Sequence, residues 1–239
     1  MKLIYIYHSG FILQGKYFVV VIDYYREGKT ENKKLISELL NHYPGRLYVL
    51  VSHAHPDHYN PEILQWAEQR PDLQYIFSED VKVPIHSLPS HCAFMKKSDS
   101  WNDELLKVKA YGSTDVGISF LIEGGGKRIF HAGDLNNWHW AEESTATEVQ
   151  EYENHFLQEL ELLARDTKEL DLALFPVDPR LGKDYMRGAR QFIDRIHPLC
   201  FAPMHFWEKY DEANALRKYA EKKGCRFITW TYPGQSVEF

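Results

Sequence analysis

The sequence predicts an α/β fold in which two sheets pack face to face beneath outer helices, a four-layer αββα sandwich. Two observations carry this. Short apolar strands come in runs, with helices appended at intervals rather than alternating one-for-one with strands, and that grammar occurs twice along the chain. A hydrophobic content of 44%, with 14% aromatic residues, can fill a core of that size. No Pro/Gly/Ser-rich linker and no block of charge divides the 239 residues, so residues 1–239 read as a single domain.

Met1 to Tyr7 carries one charge and an apolar stretch too short for the core of a signal peptide. It runs directly into His8-Ser9, and residues 2–7 read as a first strand. Strands follow at 10–14 and 17–22, with Gly15 marking the turn between them. A helix is expected near 31–41 and a strand over 47–52. Asn60 then supplies an N-cap and Pro61 a first helical position for a helix over 61–69. Strands near 73–77, 106–110, 117–123 and 127–132 come next, with Gly124-Gly125-Gly126 as a hairpin turn. The helix expected at 145–165 has Phe156, Leu160 and Leu163 as its buried stripe and the acidic run from Glu148 to Glu153 facing water. Strands at 171–175, 198–202 and 226–230 alternate with helices at 184–196 and 211–223, the last closed by Gly224.

Lys plus Arg number 28 against 34 Asp plus Glu, a formal net charge of −6 with a pI near 6.1. A general polyanion-binding surface is therefore excluded, and nucleic acid is not an expected partner. Cys92, Cys200 and Cys225 are odd in number and form no C-x-x-C pair, which fits free thiols in a reducing cytoplasm. No apolar run approaches transmembrane length, so no membrane association is expected. Nothing in the sequence fixes an oligomeric state.

The densest chemistry lies in His53-Ala54-His55-Pro56-Asp57-His58, directly after the apolar strand Leu47 to Ser52. In extended backbone residues two apart point the same way, so His53 and His55 can converge on one cation while the chain turns at Pro56. Asp57 and His58 are then free for a second. The strand, ligand loop and helix follow in immediate succession.

This motif resembles that of the metallo-beta-lactamase-fold hydrolases. The resemblance runs over nearly the whole chain, with Phe130-His131-Ala132-Gly133-Asp134 and Ala202-Pro203-Met204-His205 in the expected order. It implies that Asp134 bridges two metals and that His205 is the final ligand. Tyr7-His8-Ser9-Gly10-Phe11 and Val20-Val21-Ile22-Asp23 look like the opening strands of the branch with ascorbate-phosphate lactonase-like and phospholipase D-like members. The implied fold is again the αββα sandwich, with metals at one edge. One position departs from the pattern: the turn where a third His is expected reads Tyr111-Gly112-Ser113-Thr114-Asp115. Asp115, directly or through one water, and His131 are the two candidates to stand in.

A ligand set of His and Asp without thiolate favours one or two Zn(II) ions, with Mn(II) or Fe(II) as alternatives. Zinc lowers the pKa of bound water to about 7, which points to hydrolysis by metal-activated hydroxide. The metal set is His53, His55, Asp57, His58, Asp134 and His205, with Asp57 also the catalytic candidate. His8 is a candidate for a place beside the metals and Asp23 for the acceptor that orients a ligand His. Arg180, after the strand ending at Phe175, is the candidate to hold an anionic substrate group. Trp138-His139-Trp140 reads as an aromatic wall, with His139 a weak additional ligand candidate. The expected activity is hydrolysis of a small ester-like substrate, a phosphodiester or lactone. The alternative is a non-catalytic metal-binding or regulatory module with a degenerate site. A tRNA-processing nuclease lacks an RNA-gripping insertion here, and a flavodiiron-type enzyme would have Glu in place of His55.

Overall fold

A computed structural model describes residues 1–26, 35–167 and 169–239. The chain forms two seven-stranded mixed sheets. The first contains β1 (Lys2–Tyr7), β2 (Gly10–Gln14), β3 (Phe18–Ile22), β4 (Arg46–Val51), β5 (Gln74–Ser78), β6 (Cys92–Met95) and β14 (Ser236–Glu238), in the order β14-β1-β2-β3-β4-β5-β6. The second contains β7 (Ser100–Asn102), β8 (Leu106–Gly112), β9 (Ile118–Gly124), β10 (Lys127–His131), β11 (Leu172–Pro176), β12 (Cys200–Met204) and β13 (Arg226–Phe227), in the order β13-β12-β11-β10-β9-β8-β7. In each sheet one half is antiparallel and the other parallel: β3 to β6 run together in the first, β10 to β13 in the second. The double grammar of the sequence is this repeat.

The first sheet is apolar on both faces, which is why its strands lack a clean polar/apolar alternation. Leu3, Tyr5, Val20, Ile22, Tyr48 and Leu50 point into the core shared with the second sheet. Their strand neighbours Ile4, Ile6, Val19, Val21, Val49 and Val51 pack in a separate cluster with α1 (Leu35–His42) and α2 (Trp66–Gln69). On the second sheet lie α3 (Ala146–Asp166), which buries Phe156, Leu160 and Leu163, and α4 (Arg187–Ile196), which buries Phe192 and Ile193. A capping box between Thr145 and Glu148 fixes the start of α3.

Several elements differ from the sequence reading. Residues 31–34 of the first expected helix lie outside the described residues. The helix expected over 61–69 opens as a 3₁₀ turn, Pro61–Gln65, before becoming α2. Asn60 does cap it, accepting from the Glu62 N–H at 3.0 Å. The helix expected over 211–223 is broken into α5 (Tyr210–Asn214) and α6 (Arg217–Lys222). Strands β6, β7 and β14 have no counterpart in the sequence reading: each has four residues or fewer and sits at or next to a sheet edge, with too little buried surface to show a period. Among the described residues no helix is long and apolar enough to cross a membrane.

Candidate metal centre

The parallel halves of the two sheets bring the C-terminal ends of β3, β4, β10, β11 and β12 to one edge of the sandwich, where the turn between β1 and β2 joins them. Asp23 ends β3, His53 to His58 follow β4, Asp134 follows β10, Asp178 follows β11 and His205 follows β12. This is the end of a parallel sheet at which ligands are held. Close approach of the two sheets here demands glycine. A Cβ on Gly117 would lie 2.2 Å from the Ser52 carbonyl oxygen, and one on Gly133 2.8 Å from that of Ile118; both have positive φ.

Asp134 lies between two ligand groups. Its Oδ1 is 3.1 Å from His58 Nε2 and 3.4 Å from His205 Nε2, while its Oδ2 is 3.4 Å from His53 Nε2. The ligand atoms form two sets: His8, Asp57, His58 and His205 in one, His53, His55 and Asp134 in the other, each within 4.8 Å of one another. His53 Nε2, His58 Nε2 and Asp134 Oδ1 are buried without a hydrogen-bond partner despite their proximity. Lone pairs that converge on a point without bonding to each other are what a cation would satisfy. The residues therefore fit a divalent metal.

Three of the imidazoles, those of His53, His58 and His205, are turned toward that point by the other ring nitrogen. The Ser52 hydroxyl donates to Asp23 Oδ2 at 2.6 Å, so it must accept from His53 Nδ1–H at 3.0 Å. His58 Nδ1–H donates to Asp23 Oδ2 at 2.8 Å, and His205 Nδ1–H to Asp178 Oδ2 at 2.9 Å. In all three Nδ1 is the nitrogen engaged by the orienting group, which leaves Nε2 as the one that would bind a cation once it carries no proton. Burial opposes ionisation of Asp134, but His58 and His205 hold its carboxyl well below the usual range. Burial likewise opposes charge on His58, yet Asp134 and Asp23 raise its pKa well above the usual histidine value. Asp57 is also held low against burial, by His8, His58 and His205. Asp178 is lowered to about 2 because His205 and Arg180 outweigh its burial.

His8, Asp23, His205 and Trp207 all have positive φ without being glycine. Backbone strain concentrated in this way marks a site over-determined by its surroundings.

The residues chosen from sequence fall in different places. His53, His55, Asp57, His58, Asp134 and His205 are brought together, and His8 joins them. Asp23 is fully buried and is the shared acceptor for Ser52 and His58. His131 has both nitrogens engaged: Nε2–H donates to the Ser9 carbonyl at 3.0 Å and Nδ1 accepts from the Gly133 N–H at 3.1 Å. It has no lone pair to offer a metal and instead ties the Gly133-Asp134 turn to the first hairpin. Asp115 stands beside the half-exposed His55, Oδ2 to Nδ1 3.8 Å, outside both ligand groups. His139 is buried against Asn137 and Asp184 and belongs to neither group. Arg180 is clamped by Asp178 through Nε and Nη2, at 2.9 and 2.6 Å to Oδ2. Sequence reasoning missed Asp178 and Ser52 as the groups that orient His205 and His53. For Asp178 the signal was its position at the end of an apolar strand, the same position that singled out Arg180 two residues on.

A cavity of about 220 Å³ opens beside the centre, lined by Asp134, His205, Trp138, Trp140, Tyr152 and Arg180 among others. Trp138 is anchored by its indole N–H to the Asp134 carbonyl at 2.7 Å.

The beta-lactamase superfamily domain matches residues 2–148, well over half of the chain, and the protein belongs to that superfamily. That match contains the His/Asp loop and Asp134; Asp178 and His205 lie beyond it and are added by the fold. The chain is a metal-dependent hydrolase of the metallo-beta-lactamase superfamily. Over their full lengths it is 23% identical to a metal-dependent hydrolase of Pelotomaculum thermopropionicum and 25% identical to one of Desulforamulus reducens. Its fold matches that of Igni18, a metallo-hydrolase from Ignicoccus hospitalis, with a TM-score of 0.72 at 18% identity, covering 100% of this chain and 98% of that one. It also matches 54% of CmlA, a diiron beta-hydroxylase from Streptomyces venezuelae, at a TM-score of 0.70 and 14% identity, covering 100% of this chain.

Proposed function

We propose that this protein hydrolyses a small, anionic, ester-like substrate, a phosphodiester or a lactone, with zinc as its metal. The observation that carries the reading is the placement of Asp134 between two ligand groups at the side of a small aromatic-lined cavity. His53, His55, Asp57, His58, Asp134 and His205 would hold the zinc, which when bound would supply a Lewis acid and lower the pKa of a water to about 7. The chain's own groups supply the rest. Asp57 is ionised and partly open to solvent, with Oδ2 3.3 Å from His8 Nε2 and 3.9 Å from His205 Nε2, so it can orient a water or take its proton. Trp138, Trp140 and Tyr152 form an aromatic wall on the cavity. The Arg180 guanidinium, fixed by Asp178 and stacked over Trp207 at 5.7 Å, offers an anionic group a positioned cation.

Turnover of generic phosphodiester and lactone substrates should appear on loading chelator-treated protein with Zn(II) and vanish on chelation. Asp57→Asn should lower kcat by about 10²–10³-fold with an unchanged circular dichroism spectrum. Retained turnover in that variant would remove Asp57 from the chemistry, and no hydrolysis of either class with any of Zn, Mn or Fe would remove the substrate reading. Arg180→Ala should raise KM for an anionic substrate about tenfold, with a smaller change in kcat. An equal effect on a neutral analogue would show that Arg180 acts only through Asp178.

A further inference from the structure

We propose that His8 is a metal ligand: with Asp57, His58 and His205 it forms a high-affinity cation site that fills before the one at His53, Asp134 and the half-exposed His55. The inference rests on the metal-dependent reading of the same centre and assigns its asymmetry.

A fully buried histidine ordinarily finds partners for its ring, as His131 does. In His8 neither Nδ1 nor Nε2 has a hydrogen-bond partner among the described residues, although the residue has no solvent exposure. Its Nε2 is 3.3 Å from Asp57 Oδ2 but is not aligned to donate to it. The ring is held in this attitude from both sides, its centroid 4.1 Å from that of His205 and 4.2 Å from that of Trp207. Its backbone is fixed too. The His8 N–H donates to the Tyr5 hydroxyl at 3.0 Å, its carbonyl accepts from the His205 N–H at 3.2 Å, and φ is 56°. Strain of this kind is retained where position matters.

The other group is less complete. The His55 side chain is 42% exposed, and the turn where related proteins are expected to place a third His holds Ser113-Thr114-Asp115, with Asp115 itself 47% exposed. A site whose three histidines are buried and whose Asp57 is 24% exposed needs less ordering on binding than one that depends on the more exposed His55. The first equivalent of metal should therefore go to His8, Asp57, His58 and His205.

The test is titration of chelator-stripped protein with Zn(II), followed by calorimetry and elemental analysis, and with Co(II), followed by its visible absorption. Wild type should show two classes of site. His8→Ala should weaken the tight step at least tenfold and change the absorption of the first Co(II) equivalent, whereas His55→Ala should remove the weak step and leave that absorption as it was. His8→Asn, which tolerates a left-handed backbone, serves if the alanine variant does not fold. The proposal is overturned if His8 variants keep the first-equivalent affinity and spectrum, or if His55→Ala removes the tight step. Wild type binding neither metal would instead overturn the metal reading on which it stands.

Discussion

Asp134→Ala is expected to leave the purified protein with one metal equivalent or fewer, and to reduce turnover to below about 1% of wild type. Asp134 faces both ligand groups: Oδ1 serves His58 and His205, and Oδ2 serves His53. Removing the carboxylate takes one negative oxygen from each group and leaves the Nε2 atoms of His53 and His58 without the carboxylate oxygen that faced them. Asp134→Asn separates geometry from charge, because the amide keeps the shape but only one oxygen; it should retain metal in one group and lose it in the other. Elemental analysis returning the wild-type ratio for Asp134→Ala would end the bridging role. The fold should survive, since Asp134 follows β10 rather than pairing within it, and the Thr114 hydroxyl holds its turn through the Asn136 backbone at 2.6 and 2.9 Å.

How much of this was legible in the sequence depended on whether a residue's role was local. The strand-turn-helix context of His53 to His58 is written in a dozen consecutive residues, and those histidines could be named from spacing alone. The long buried strands were legible for the same reason. Asp178 was not singled out, because its partner His205 is 27 residues away and only the parallel pairing of β11 with β12 brings them together. Ser52 was invisible for a different reason: a serine at a strand end has no distinctive pattern, and its role appears only when Asp23, 29 residues earlier, is seen to accept from it. His131 illustrates the reverse. The sequence placed it three residues before Asp134, but proximity along the chain could not reveal that the Ser9 carbonyl and the Gly133 N–H take both of its nitrogens.

Asp23 carries the second large prediction, and it touches no metal. Its carboxylate is fully buried and accepts the Ser52 N–H at 2.7 Å, the Ser52 hydroxyl at 2.6 Å and His58 Nδ1–H at 2.8 Å. Asp23→Ala would strand those donors in a dry interior, at a cost of about 3 kcal/mol or more. In a chain of this size that corresponds to a fall in Tm of roughly 6–12 °C for the metal-free protein. Zinc affinity should fall about 10–100-fold as His58 and His53 lose their orientation. Asp23→Asn is the more discriminating variant. Asparagine tolerates the positive φ of 46° at this position and can still accept the Ser52 N–H, so stability should change little. Its amide, however, would present N–H rather than oxygen to His58 Nδ1. That nitrogen would have to accept, moving the ring proton to Nε2, the atom that faces Asp134, where a protonated nitrogen cannot bind a cation. A near-normal melting temperature with weakened zinc binding is therefore expected for Asp23→Asn. Wild-type zinc affinity in that variant would show that the tautomer of His58 is not set by Asp23.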